Sequence, residues 1–282
     1  MEKIRIITDS GADFVAPFPE NLTVLPLAIR FGEEEYRDGV DLDHRMFYEK
    51  LLSGKELPKT SLISPAEFEA AFDAAGAAGE TVVAILISSR LSGTWQSAVL
   101  AAEERQWVHV VDSMNATLGQ QALVKYALRL VEQGLTAQQL VEELERIKSH
   151  VRLTGVPASL EYLHRGGRIS KATAILGGAL SIKPVLRLID GEVVMVGKAR
   201  GAKHANASLA QEVEKTGLDA AMPVCLGYTG LRDDALRAFL ADSAALWENV
   251  SYDICSVGAT IGTHIGPDSI VVAYFDASAT EV

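Results

Sequence analysis

The chain is poor in the residues from which redox centres and covalent staples are built. It has two cysteines, Cys225 and Cys255, far apart in sequence and without Cys-x-x-Cys spacing. Structural thiols are therefore expected rather than a disulfide or a nucleophile. No apolar run approaches the roughly 20 residues that cross a bilayer. The opening Met1-Glu2-Lys3-Ile4-Arg5 has no apolar signal segment and enters a strand at once, so no transmembrane segment and a cytoplasmic location are the expectation. There is no Gly-x-x-x-x-Gly-Lys-Ser/Thr phosphate loop, no Gly-x-Gly-x-x-Gly, no His-Glu-x-x-His and no Gly-x-Ser-x-Gly elbow. No complete catalytic set is visible, and neither a metal site nor a cofactor is expected. Positive charge is also scarce. The formal net charge of −11 makes a poor general binder of nucleic acid or membrane phosphates.

What is present describes a folded protein of one large or two medium domains. The 282 residues are 48% apolar and 22% charged, enough for a substantial core. The basic residues concentrate in one region: Arg165, Arg168, Lys171, Lys183, Arg187, Lys198, Arg200 and Lys203, opposed there only by Asp190 and Glu192. Such a cluster is usually a solvated face; it also suits an anionic ligand head or an acidic partner.

Residues 81–87 (Thr-Val-Val-Ala-Ile-Leu-Ile) are β-branched and unalternating, as in a parallel strand buried on both faces. They run into Ser88, Ser89, Ser92, Gly93 and Thr94, and then a helical pattern over 95–104. A strand feeding a helix through small hydroxylated residues leaves free N–H groups that favour an anion. The plain alternative is a turn with Ser92 as a helix cap. Residues 4–8 form a strand ending in Thr8-Asp9-Ser10, where ligands collect in open α/β sheets. Residues 22–31 read as one strand interrupted by Pro26, 43–53 as a helix closed by Gly54, and 58–65 as a polar loop. Ser64-Pro65-Ala66-Glu67 and Thr136-Ala137-Gln138-Gln139 are capping boxes.

A parallel, helix-flanked sheet follows for the first half. Beyond about Val151 a hairpin around Asp190-Gly191-Glu192 among further strands and helices predicts a mixed sheet. The expected division is 1–152 and 153–282. The glycine-rich stretch 258–267 reads as a loop carrying His264, an imidazole more often structural than functional in such a setting.

Hydroxyls recur after strands, and in that order they carry a resemblance. Thr8-Asp9-Ser10, Thr60-Ser61, Ser64-Pro65, Ser88-Ser89-x-Leu91-Ser92-Gly93-Thr94, Asp112-Ser113, Leu160-Glu161-Tyr162-Leu163-x-Arg165-Gly166-Gly167-Arg168-Ile169, Lys183-Pro184 and Thr263-His264-Ile265-Gly266-Pro267 resemble, end to end, the DegV family of bacterial fatty-acid-binding proteins. Studied members of that family are the acyl-carrying subunit of fatty acid kinase.

The resemblance implies a two-domain fold with a long-chain fatty acid between the domains and no catalysis by this chain itself. It implies a carboxylate held by Thr60, Ser61, Ser92, Gly93 and His264, with Arg200 near the head group and the acyl tail in a tunnel of the second domain. Lys171 and Arg200 would face an ATP-binding kinase subunit. The small-residue segment 174–182 is a plausible tunnel wall. About 15 methylenes at ~0.8 kcal/mol each gain on the order of 10 kcal/mol on leaving water. The carboxylate is the costly end and needs several donors; a charged His264 would add a counter-ion. A serine hydrolase using Ser92 and His264 on a lipid ester is the alternative, without an elbow motif or an identified acid.

Overall fold

The computed structural model describes residues 2–54, 56–169 and 182–279. The first half is built on a parallel sheet of β1 (Ile4–Asp9), β2 (Leu22–Leu25), β6 (Thr81–Leu86) and β7 (Val108–Asp112), in the order β2-β1-β6-β7. Both faces are covered, which explains the unalternating sequence of β6. On one side Val82, Ala84 and Leu86 pack with Ile7 against α2 (Pro65–Ala77) and α3 (Thr94–Ala102), through Phe68, Phe72 and Ala98. On the other, Val83, Ile85 and Ile6 meet α4 (Thr117–Glu132) and α5 (Ala137–Ile147) through Leu118, Leu123, Leu140 and Leu144. Both capping boxes form, at Ser64 with Glu67 and at Thr136 with Gln139. From β1 the chain goes to β2 on one side, while β6 lies on the other. The crevice at the carboxyl ends of β1 and β6 is therefore a switch point, where α/β sheets bind ligands.

The second half is a mixed sheet of β8 (Val151–Val156), β9 (Ile182–Ile189), β10 (Glu192–Arg200), β11 (Cys225–Tyr228), β12 (Asp253–Ser256) and β13 (Ile270–Phe275), in the order β10-β9-β8-β13-β11-β12. Only β11 and β12 pair in parallel. The β9–β10 hairpin turns at Asp190 and Gly191, with φ of 50° and 79°, the positive values that a two-residue hairpin turn requires. The sheet packs on α7 (Ala202–Thr216) and α8 (Asp234–Asp242) through Leu209, Val213, Leu236 and Phe239. Its other face meets α4, so Leu153, Val271, Ala273 and Phe275 share one core with Val83 and Ile85 of the parallel sheet.

Three sequence expectations are corrected. The single strand over 22–31 is two: Pro26 ends β2, and β3 (Ala28–Phe31) turns away into a separate antiparallel sheet with β4 (Glu34–Arg37) and β5 (Lys59–Ser61). The polar loop over 58–65 contains β5, too short and hydrophilic to show an alternating pattern. The glycine-rich loop over 258–267 holds a two-turn helix, α9 (Ala259–Ile265). Its Gly262 packs against α1 (His44–Ser53), where a Cβ would lie 2.6 Å from the Phe47 ring. Gly266, at φ 74°, ends the helix. These glycines serve close packing and termination, not looseness. Lys171, and the suggested tunnel wall 174–182 apart from Ile182, lie outside the described residues.

Candidate functional site

At the switch point, between the parallel sheet, the mixed sheet and α9, lies a cavity of about 830 Å³ counted together with its open mouth. Its walls are apolar: Leu27, Ile87, Leu153, Leu186, Leu188, Val193, Ile261 and Ile265 are among them. Arg187 and Thr154, directly paired across β9 and β8, also border it. Alternation along the strand sends the Arg187 side chain to the other layer, where it meets Glu212 of α7 at 3.3 Å. The interior is thus mostly hydrophobic: the hydroxyls of Thr117 and Thr260, which also border it, donate to the buried Asp13 and Asp38, and the remaining polar side chains gather at one end.

That end is assembled from four segments. β5 presents Thr60, held in register opposite Ile29 of β3. α9 presents His264, whose Nε2 lies 3.0 Å from the Thr60 hydroxyl. The turn after β6 presents Ser92, 2.9 Å from the Thr94 hydroxyl, while the Thr94 N–H donates weakly to Ser92 Oγ at 3.3 Å. The chain after α6 (Glu161–Arg165) brings Arg168, which donates to the carbonyls of Leu91 at 3.1 Å and Gly166 at 2.7 Å. No acid pairs with Arg168 among the described residues, so one guanidinium faces the site uncompensated. Gly166 is required by the imidazole, because a Cβ there would collide with His264 Nδ1.

Thr60, Ser92 and His264 therefore converge on one cavity, and Arg168 joins them. Arg168 stands in the Arg165-Gly166-Gly167-Arg168 run, but nothing in its spacing separates it from seven other basic residues of that region. The remaining candidates do not line the cavity. Ser61 follows Thr60 but is exposed, and Gly93 caps α3 from the exposed side of the turn. Arg200 is exposed at the end of β10.

Burial, helped by the nearby Arg168 charge, lowers the His264 pKa to about 4. The imidazole is therefore neutral at pH 7, and Arg168 carries the positive charge at this end of the cavity. A neutral ring and hydroxyls can still donate to an anion. They make a poor hydrolase, because a base of pKa about 4 accepts protons weakly at neutral pH. Ser92 pairs with Thr94 rather than with His264, and among the described residues His264 Nδ1 has no partner to orient it. Outside the Thr60–His264 pair, a second cleft opens between Lys59, Tyr162, Arg165 and Arg168. The polar end of the cavity therefore borders a basic vestibule. Among the described residues there is no cluster of three potential metal ligands.

The family described as "Uncharacterised protein, DegV family" matches residues 3–277. A DegV domain-containing protein of Caldanaerobacter subterraneus subsp. tengcongensis is 36% identical over 283 residues, covering 97% of this chain and 99% of the relative. The structure of a DegV family protein from Thermus thermophilus, described for its fatty acid binding, superimposes with a TM-score of 0.86 at 32% identity, covering 97% and 99% of the two chains. A stearic acid-binding protein from Eubacterium ventriosum gives 0.86 at 28% identity, with all of both chains covered. The chain belongs to the DegV family.

Proposed function

We propose that this protein binds a long-chain fatty acid, with the acyl tail in the apolar cavity and the carboxylate among Thr60, Ser92, His264 and Arg168. One observation carries the reading: a cavity with mostly hydrophobic walls has the Thr60 and Ser92 hydroxyls, an imidazole and an unpaired guanidinium close together at one end. That polarity matches an amphiphile with one anionic head. The fatty acids bound by the Thermus and Eubacterium relatives support it. In this reading the ligand lies between halves 1–152 and 153–282, and Ser61 and Gly93 flank the head group without lining the tail.

The protein acts as a carrier in the cytoplasm. It presents the carboxylate to an ATP-binding kinase subunit, which forms the acyl phosphate. The basic vestibule beside the head group supports presentation to the outside. Exposed Arg200, together with Lys171, belongs to the partner-facing surface.

Titration with stearic acid tests the binding step. Thr60→Val and Ser92→Ala each remove a hydroxyl from a charged acceptor, a loss of about 1.5–3 kcal/mol, or roughly tenfold or more in Kd. Unchanged affinity in both would place the head group elsewhere. Arg200→Ala is expected to slow phosphorylation by the kinase subunit more than it weakens binding.

A further inference from the structure

Three carboxyl groups, Asp9, Asp13 and Asp38, are buried beneath the cavity, and no cation pairs with them among the described residues. Asp9 is accounted for by β1 and its neighbours, through the N–H groups of Gly11 and Ile87 and the amide of Gln120. Asp13 and Asp38 point to the start of α9. Asp13 accepts from the Gly258 N–H at 2.7 Å and from the Thr117 hydroxyl at 2.6 Å. Asp38 accepts from the Ala259 N–H at 3.2 Å, the Thr260 N–H at 3.0 Å and the Thr260 hydroxyl at 2.5 Å. Three successive N–H groups of one helix start are thus held by two side chains from the first half.

The placement of Asp38 gives this cap a second consequence. Asp38 directly follows β4, and Thr60 lies on β5 of the same three-stranded sheet. α9 is therefore clamped to that sheet at two points: at its first turn by Asp38, and one turn later by the His264–Thr60 contact. A helix of seven residues has little stability of its own, so contacts set where its side chains sit.

Resting on the fatty-acid reading above, we propose that Asp38 is a positioning residue for the head-group site: it fixes α9 on the small sheet so that His264 and Thr60 face one ligand. Asp13 braces the same helix start against Thr117, at the entrance of α4. Thr117 lies at φ 46°, a strained conformation for a β-branched residue.

The test is Asp38→Asn, nearly the same shape, with one oxygen in place of two acceptors. Two readouts are taken on protein shown by circular dichroism to be folded: the His264 imidazole titration by NMR and the Kd for stearic acid. Thr136→Ala, which loses the remote cap of α5, serves as a control for general destabilisation. The expected result is a His264 pKa moved upward from about 4 toward the ordinary histidine range and a Kd at least tenfold weaker, with both unmoved in Thr136→Ala. A folded Asp38→Asn protein with the wild-type His264 titration would overturn the proposal. If Asp38→Asn does not fold, Thr260→Val removes the hydroxyl bond to Asp38, together with the long 3.4 Å contact to Ser10, and, because Thr260 itself borders the cavity, it is read by the His264 titration alone, with an unmoved titration overturning the proposal. The titration needs no ligand, so wild-type protein that takes up no fatty acid would end the carrier reading while the imidazole shift still decides the role of Asp38.

Discussion

At the residue scale, two buried groups have opposite pH dependence. Burial and Arg168 lower the His264 pKa to about 4, so the fold favours the neutral ring. That contribution is complete above the unfolded value near 6.5 and is lost as pH falls from there toward 4. Burial raises Asp9 to about 6 against the bonds from Ile87, Gln120 and Gly11. Its contribution is complete below the unfolded value near 4 and is lost as pH rises through 6. The two partly cancel in the wild type, and removing one exposes the other. His264→Gln is expected to gain up to about 3 kcal/mol relative to wild type between pH 7.5 and pH 4, measured by urea unfolding at each pH. Parallel pH profiles would contradict the buried neutral imidazole.

The ordered family pattern marks Thr60, Ser92 and His264 in the sequence, and all three border one cavity. Arg168 and Asp38 were not legible there. One is a basic residue among many, and the other an acid in a polar turn; their proposed roles arise only when chain segments far apart in sequence are brought together.

At the scale of elements, legibility follows length and local chemistry. The two capping boxes and the β9–β10 hairpin have residue-level signals and form as expected. β5 and α9 have three and seven residues, too few for periodicity, and α9 is punctuated by glycines that packing demands. Ser64→Ala removes the Oγ acceptor at the start of α2. It is expected to cost about 1 kcal/mol in denaturant unfolding without changing stearic acid affinity. Loss of affinity would mean that α2 contributes to the site in a way its packing against β6 does not suggest.

At the scale of the whole molecule, α4 decides how the two halves behave. It lies between the parallel and mixed sheets, and its Leu118, Ala122 and Leu123 belong to a core containing residues of both. The halves are distinct in topology but share hydrophobic burial, so they are expected to unfold together. Leu123→Ala is predicted to lower stability by about 2–5 kcal/mol and to shift one common thermal transition. Two separated transitions in the wild type would show that the shared core does not couple them. The cavity also belongs to this scale, since it draws walls from β5, β8, β9, β10 and α9 at once. That is why no single stretch of sequence revealed it apart from the family resemblance.

The most direct measurement of the central claim is what the purified protein carries. Denaturing extraction followed by mass spectrometry, calibrated against protein concentration, is predicted to recover about one long-chain fatty acid per chain, or to do so after incubation with stearic acid. Protein that yields none and takes up none would contradict the assignment of this cavity to a fatty acid.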